Sequence, residues 1–293
     1  GAALIQACEK SESHANYMNK LREQIPLKRF VADRDLKGGN SYIPDIKADT
    51  NKSVAIIGGG PMGLSSAYFL RQKGHDVTII ESMPRLGGML RYGIPEYRLP
   101  KAVLDEEIKL IESMGVKMIT NTKVGVDVSF EKIRREYDAV LLGIGAWVST
   151  GVRCKGEDSQ GIIGGIDFLR KVVRNEEIDL GENVAIVGGG NTAMDACRTA
   201  VRLGAKKVYN IYRRTKNEMP ADMVEITEAE EEGVIFKNLT NPIEVVSDEN
   251  GRVKEVVLQV MELGEADASG RRRPVPVEGK TETIKVDTMI LAI

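Results

Sequence analysis

Two glycine-rich segments carry the residue types that bind phosphate. The first, Gly58-Gly59-Gly60-Pro61-Met62-Gly63, has the spacing G-x-G-x-x-G and follows the β-branched run Val54-Ala55-Ile56-Ile57. Glycines at this spacing allow a tight turn and let main-chain N–H groups approach a pyrophosphate at the start of a helix. Glu81 closes the next predicted strand, where a carboxylate accepts hydrogen bonds from a ribose hydroxyl. The combination predicts a dinucleotide site, although Glu81 taken alone also fits a solvated acid at a strand end.

The second segment, Gly188-Gly189-Gly190-Asn191-Thr192-Ala193, is the G-x-G-x-x-A variant in the same setting. Its second strand ends in Tyr212-Arg213-Arg214-Thr215-Lys216 instead of an acid. Guanidinium groups at that place suit the 2′-phosphate of NADP, so the pattern favours NADP over NAD. The alternative is a solvated basic strand end. Arg271-Arg272-Arg273 lies in a predicted loop, and we interpret it as a solvated turn.

Two dinucleotide sites in one chain predict transfer between two cofactors. NADP and FAD are the natural pair, because a hydride passes directly from the nicotinamide to the flavin. Such a transfer needs no protein acid or nucleophile, so we assign no catalytic residue. Cys8, Cys154 and Cys197 lie far apart and form no C-x-x-C pair, which disfavours a flavoprotein disulfide reductase. Three thiolates also fall short of a four-ligand metal centre, and we predict no metal site.

The elements that must position the two loops alternate between strands and helices. Short, continuously apolar strands indicate a parallel sheet covered on both faces. Beyond Asn241 the pattern changes to short alternating runs that predict an antiparallel meander. The predicted fold class is α/β, with two Rossmann-like dinucleotide-binding domains, the second of which carries the β-meander. The predicted elements are strands at 54–57, 77–80, 139–142, 184–187 and 208–212, a helix from Lys101 to Met114, and a helix through Met194, Cys197 and Val201.

Composition is consistent with a globular chain of about two domains. The 293 residues are 42% apolar and 29% charged, with a formal charge of −2. Such a balance creates no field that attracts nucleic acid, and we expect no nucleic-acid partner. The longest apolar stretch, Ala139 to Val148, is about half of the ~20 residues that span a bilayer. The N-terminus lacks the pattern of a signal peptide, so we expect a cytoplasmic protein without a membrane partner.

Six motifs follow one another along the chain: Val54 to Gly63, Gly87-Gly88-Met89-Leu90-Arg91-Tyr92-Gly93-Ile94-Pro95, Tyr97-Arg98-Leu99-Pro100, Gly188 to Asp195, Tyr212-Arg213-Arg214 and Glu218-Met219-Pro220-Ala221. Together they resemble the small subunit of NADPH-dependent glutamate synthase. That family also includes the large subunit of bifurcating NADH-dependent ferredoxin:NADP oxidoreductase and the flavin half of dihydropyrimidine dehydrogenase. The resemblance covers about residues 25–293 and implies an FAD domain with an inserted NADPH domain, which passes electrons to iron–sulfur clusters and a partner subunit.

The resemblance also implies roles for individual residues. In the FAD domain the pyrophosphate loop is Gly58, Gly60, Pro61, Met62 and Gly63, with Glu81 on the adenosine ribose. Later FAD contacts are Gly88, Met89 and Arg98, and the backbone of Val124 meets the adenine region. In the NADPH domain the pyrophosphate loop is Gly188, Gly190, Asn191 and Thr192, and the 2′-phosphate clamp is Arg213 and Arg214, with Lys216 as a weaker candidate.

The chain departs from the family at both ends. Cys8-Glu9 resembles part of a C-E-x-x-C cluster motif, but Glu12 stands where the second cysteine is due, so we expect no iron–sulfur cluster. The family continues beyond the equivalent of Leu291-Ala292-Ile293, and we therefore interpret the chain as a fragment. The predicted domains are an N-terminal arm (1–50), a partial FAD domain (51–155 plus 287–293) and an NADP domain (156–286).

The predicted function is that of an oxidoreductase that transfers hydride from NADPH to FAD and passes electrons to a partner subunit or iron–sulfur acceptor. The alternative is a non-catalytic nucleotide-binding or assembly module with a degenerate flavin domain.

Overall fold

The fold consists of two compact units. A computed structural model describes residues 43–266 and 272–293, so the predictions for most of the arm 1–50 and for Cys8 lie outside the described residues. The first unit extends to Ala146 and the second begins at Trp147. Each contains a parallel sheet with helices, and the predicted α/β class is confirmed.

The first unit is built on a four-stranded parallel sheet with the order β3-β2-β1-β4. Leu64 and Ala67 of its first helix and Ile111 of its third pack on one face, and Ile133 of its fourth packs on the other. Both faces are covered, which is why the strands are apolar throughout. Its elements are β1 (Ser53–Ile57), α1 (Pro61–Gln72), β2 (Asp76–Ile80), α2 (Met89–Tyr92), α3 (Lys101–Ser113), β3 (Lys117–Ile119), α4 (Phe130–Glu136) and β4 (Ala139–Leu142).

The second unit combines a five-stranded parallel sheet, in the order β5-β12-β6-β7-β8, with an antiparallel sheet in the order β11-β10-β9. The predicted meander is confirmed. The elements are β5 (Ile162–Gly164), α5 (Gly165–Val173), β6 (Asn183–Val187), α6 (Asn191–Arg202), β7 (Lys207–Tyr212), a 3₁₀ turn (Lys216–Glu218), α7 (Met223–Glu231), β8 (Ile235–Asn238), β9 (Thr240–Ser247), β10 (Val253–Ala266), β11 (Arg272–Lys285) and β12 (Thr288–Leu291).

The parallel sheet of the second unit is covered differently on its two faces. Helices α5, α6 and α7 bury Phe168, Met194 and Ile226 against one face. The meander covers the other, where Val256 and Leu258 belong to one apolar core with the central strands. The meander therefore buries the face of the sheet that a second layer of helices covers in a doubly wound fold.

The C-terminal apolar segment corrects the predicted domain boundaries. The sequence placed 287–293 with the first domain, but β12 pairs in parallel with β5 and β6 and is buried along its whole length. Asp287 fixes its start, because its carboxylate accepts hydrogen bonds from the N–H groups of Glu182 and Asn183 at 2.9 and 2.8 Å. The stretch 147–155 also lies in the second unit, since Lys155 exchanges backbone hydrogen bonds with β9.

No helix in the described ranges is long and apolar enough to cross a bilayer.

A buried arginine ties α6 to α7. The Arg198 side chain is 6% exposed and lies 2.7–2.9 Å from carboxylate oxygens of Glu225, Glu228 and Glu232. Burial raises the pKa of Glu232, but hydrogen bonds from Arg202 and Arg198 outweigh it, and the net shift is downward. A carboxylate with a lowered pKa stabilises the fold at neutral pH, and this stabilisation is lost as the pH falls through the folded-state pKa.

Removal of the buried arginine should cost far more stability than removal of its exposed neighbour. We expect Arg198→Ala to lower the free energy of unfolding by about 3 kcal/mol or more, because partly buried carboxylates lose their partner. Arg202→Ala is the matched control: its side chain is 47% exposed, and we expect a loss of about 1 kcal/mol or less. Urea unfolding at neutral pH measures both, and the Arg198→Ala deficit should shrink in acid. Equal losses of unfolding free energy in the two variants would contradict a stabilising role of the buried Arg198 ion pairs.

Candidate functional site

The first glycine loop joins β1 to α1 through backbone contacts that exclude a side chain. Gly58 has φ +107°, and a Cβ there would lie 2.3 Å from the carbonyl oxygen of Gly143. A Cβ at Gly63 would lie 1.9 Å from the carbonyl oxygen of Gly58, so α1 begins directly against the loop. Pro61 is the first residue of α1, and Met62 beside it is partly exposed. Backbone contacts within the first unit thus fix the conformation of the predicted loop residues.

Glu81 is fixed against this loop. Its side chain is buried, and Oε2 accepts a hydrogen bond of 2.7 Å from the Gly59 N–H. The other oxygen accepts from the Met83 N–H at 2.8 Å and from the Ser82 hydroxyl at 3.1 Å. A carboxylate offers about four acceptor positions, so these three bonds orient Glu81 and leave capacity for a further donor.

A second glycine pair brings another predicted segment to the same place. The Gly87 N–H donates to the Gly59 carbonyl at 2.8 Å, and a Cβ at Gly88 would lie 2.7 Å from the Cα of Gly60. Gly88 has φ +50°, a conformation that favours glycine. Met89 follows as the first residue of α2. The structure therefore brings together the first loop and the start of the second predicted segment.

The other two predicted positions of the first unit lie in turns. Arg98 is half-buried in a turn that a hydrogen bond of 3.0 Å closes, from the Leu99 N–H to the Pro95 carbonyl. Val124 forms an isolated bridge with Val128 and packs against the small core cluster on the α4 face of the sheet.

The second glycine loop joins β6 to α6 in the same manner. Gly188 has φ +147°, and a Cβ there would lie 2.1 Å from the carbonyl oxygen of Ala292, directly after β12. The Gly188 carbonyl accepts a hydrogen bond of 2.9 Å from Nδ2 of Asn210, a fully buried residue of β7. Sequence reasoning missed Asn210, although a polar residue inside an apolar strand was a visible signal.

At two glycines, neither the backbone conformation nor a neighbouring described atom excludes a side chain. Gly60 has φ −78°, and the nearest atom to a Cβ there would be the Cα of Gly88 at 3.7 Å. Gly190 has φ −92°, and a Cβ there would meet nothing within 4 Å among the described residues. Both precede a helix that offers unpaired N–H groups at its N-terminus. Open space above a glycine at a helix start fits the close approach of a phosphate.

A cavity of about 440 Å³ opens at the second loop. It is lined by Gly188, Gly190 and Thr192 from the loop and by Arg213 and Arg214 from the end of β7. The remaining lining includes apolar side chains such as Val148, Val152, Ile166 and Leu291.

The two arginines at the cavity are held differently. Arg213 is exposed, whereas Arg214 is 8% exposed and donates from Nε to the Arg272 carbonyl at 2.9 Å. Within residues 43–266 and 272–293, no carboxylate forms an ion pair with either guanidinium. Both guanidinium groups therefore keep a positive charge at the cavity that no described carboxylate neutralises, which fits a bound phosphate. Arg272 and Arg273 lie in β11, so the prediction of a turn is wrong at these two residues, although both are exposed.

Two predicted residues are occupied elsewhere. Lys216 forms an ion pair with Glu230, lies 5.7 Å from the ring centroid of Phe236 and is not part of the cavity lining. Asn191 exchanges hydrogen bonds with Asp222 at 2.9 and 3.3 Å, which joins the start of α6 to that of α7.

The two described cysteines are unsuited to dithiol chemistry. Cys154 and Cys197 are both free thiols, and burial raises the pKa of each, so little thiolate forms near neutral pH. In the part of the chain that the structure describes, no cluster of three His, Cys, Asp or Glu side chains could hold a metal ion.

Comparison with known families decides the class of the protein. The family described as pyridine nucleotide-disulphide oxidoreductase matches residues 52–293. The chain belongs to this family. Membership confirms the predicted class of pyridine-nucleotide-dependent oxidoreductase.

Individual relatives agree with the resemblance. The NADP(+)-dependent formate dehydrogenase subunit beta of Moorella thermoacetica is 42% identical, over all of this chain and 45% of its own length. The glutamate synthase [NADPH] small chain of Escherichia coli K12 is 36% identical, over 91% of this chain and 59% of its own length. The predicted resemblance to the glutamate synthase small subunit is confirmed. The chain spans about half the length of these relatives.

A solved structure shares the fold. FprA from Mycobacterium tuberculosis, in complex with NADPH, matches with a TM-score of 0.72 at 20% identity, over 83% of this chain and 70% of that one.

Replacement of Gly190 should separate ligand binding from folding. A Cβ fits the empty space without strain, so Gly190→Ala should change the free energy of unfolding by about 1 kcal/mol or less. The same Cβ occupies the place where a phosphate would approach, and we expect the NADPH dissociation constant to rise about tenfold or more. Titration of NADPH and urea unfolding measure the two effects.

Gly188→Ala is the comparison variant for that test. Its Cβ would clash with the Ala292 carbonyl, so it should unfold the second unit instead of weakening binding alone. Tight NADPH binding by a folded Gly190→Ala chain would contradict a ligand role for Gly190.

Proposed function

We propose that this chain transfers hydride from NADPH to FAD and passes the electrons to a partner subunit or an iron–sulfur protein. The observation that carries the proposal is the opposite charge at two otherwise matching sites. The first glycine loop faces the buried carboxylate of Glu81, whereas the second opens on Arg213 and Arg214. A carboxylate suits an unphosphorylated ribose, and paired guanidinium groups suit a 2′-phosphate.

FAD binding in the first unit follows from its loop. Gly58, Gly60 and Gly63 let the pyrophosphate approach the N-terminus of α1, while Pro61 and Met62 form its first turn. Glu81 accepts from the ribose. Further contacts come from Gly88, Met89 and Arg98, and the backbone of Val124 meets the adenine region, as the resemblance implies.

NADPH binding in the second unit uses the cavity. Gly188, Gly190 and Thr192 lie at the pyrophosphate, and Asn191 contributes its main chain, since its side chain is bound to Asp222. Arg213 and Arg214 bind the 2′-phosphate. Lys216 takes no part, because its ammonium is paired with Glu230.

The chemistry of the transfer belongs to the cofactors: bound NADPH supplies a hydride that FAD accepts. The chain contributes binding and orientation, and none of its side chains is required as an acid or base. The relatives above are named as a beta subunit and a small chain, which supports a partner subunit as the electron acceptor.

Loss of the two arginines should remove the preference for NADPH. We expect the double variant Arg213→Ala, Arg214→Ala to raise the NADPH dissociation constant about 10²-fold or more, since each lost charge-assisted contact is worth ~1.5–3 kcal/mol. NADH affinity should change little. Isothermal titration with both nucleotides measures the ratio. The exposed Arg213 permits a single variant if the double variant folds poorly.

Lys216→Ala is the matched control, because it removes a nearby cation that lies outside the cavity. Its NADPH affinity should stay within about threefold of the unaltered chain. A double arginine variant that still prefers NADPH over NADH would sink the 2′-phosphate assignment.

The visible absorption spectrum tests the flavin half and hydride transfer together. The purified chain, supplied with FAD, should show bound-flavin absorption that bleaches when NADPH is added without oxygen. A chain that binds NADPH but neither holds FAD nor bleaches it would favour the alternative of a non-catalytic assembly module.

A further inference from the structure

One lysine of the first unit donates hydrogen bonds to three backbone carbonyls. Nζ of Lys101, the first residue of α3, donates to the carbonyl oxygens of Ile94 at 2.6 Å, Leu99 at 3.0 Å and Leu90 at 3.1 Å. An ammonium has three N–H groups and no acceptor, so three carbonyls match its donors.

These carbonyls belong to a segment that needs such a partner. Residues 86–100 contain no strand, and their one helix, α2, is four residues long. The last carbonyls of a helix have no partner within it, and a partly buried carbonyl without a hydrogen bond is costly. Lys101 therefore joins the end of α2 to the turn at Pro95–Leu99.

The same helix holds the segment at two further points. The Lys101 N–H donates to the Glu96 carboxylate at 2.9 Å, which also places an anion at the start of α3. The Arg91 guanidinium is 5% exposed, pairs with Asp105 of α3 and donates to the Leu86 carbonyl. The segment is consequently shaped by α3, not by the sheet.

We propose that Lys101 is a positioning residue for the flavin. Two of its carbonyl partners are the sequence neighbours of proposed flavin contacts: Leu90 follows Met89, and Leu99 follows Arg98. A single ammonium thus sets the spacing between both contacts while its own donors are used within the protein. This inference rests on the proposed binding of FAD to the first unit.

The test compares Lys101→Met with Lys109→Met, which removes an exposed lysine from the same helix. Lys101→Met keeps most of the side-chain length but loses all three donors. We expect its FAD dissociation constant to rise at least tenfold and the bound-flavin absorption to shift, while Lys109→Met behaves as the unaltered chain. NADPH affinity, a property of the second unit, should stay within threefold in both variants.

Hydrogen exchange tests the same point without a ligand. The amides of Tyr92, Gly93, Ile94 and Leu99 are bonded within the segment and should exchange at least tenfold faster in Lys101→Met, with β1 and β2 unchanged.

Each outcome separates the inference from the proposed function. Unaltered flavin affinity in Lys101→Met, or an equal loss of FAD and NADPH binding, would overturn the positioning role. Failure of the unaltered chain to bind FAD would instead defeat the flavin half of the proposed function, and unchanged exchange in the segment would still defeat the role of Lys101.

Discussion

Both units depend on a backbone contact at the first glycine of each loop. In the first unit the Gly143 carbonyl occupies the space of a Gly58 side chain, and in the second the Ala292 carbonyl does so at Gly188. The N–H groups of Gly143 and Ala292 extend the parallel pairing. Each donates at 2.8 Å to the carbonyl of the residue just before the loop, Ile57 at the end of β1 and Val187 at the end of β6. A loop can therefore reach its binding conformation only when a neighbouring strand is in place. That strand is β4 in the first unit and β12 in the second.

This constraint explains the architecture of the second unit. β12 follows the meander in sequence but pairs with β6, so the meander is an insertion that the sheet must close around. Asp287 fixes the return of the chain. Burial raises the pKa of its carboxyl, but hydrogen bonds from Asn183 and Glu182 lower the pKa by more, so the net shift is downward. Because an ionised carboxylate accepts these N–H groups, the start of β12 is tied to the start of β6.

The sequence was informative where local pattern and geometry coincide. Apolar β-branched runs that end in glycines predicted β1 and β6, and Lys101 to Met114 predicted α3, because helical spacing of apolar residues exposes one face to the core. Short edge strands such as β3 and β5 carry no comparable signal.

Pairings over long distances in sequence were beyond reach. An apolar run such as Thr288–Leu291 does not reveal which sheet it joins, since any buried parallel strand has the same composition. Likewise, Arg214 and Lys216 belong to the same basic segment after β7, but Lys216 pairs with Glu230 and Arg214 donates to the carbonyl of Arg272. The partner decides which cation is left for a ligand.

The last residue of the glycine motif differs between the two loops, and this difference changes how the first carbonyl of each loop is held. In the first loop Gly63 leaves room for the Gly58 carbonyl, and a Cβ there would lie 1.9 Å from that oxygen. Ala193 carries such a Cβ, so the Gly188 carbonyl cannot take the corresponding place. It is held instead by Asn210, which is paired with Ile186 in register, where the first sheet pairs Ile79 with Ile56. A buried amide in β7 thus holds the loop carbonyl in the second unit, whereas the matching position of β2 in the first unit carries an apolar side chain.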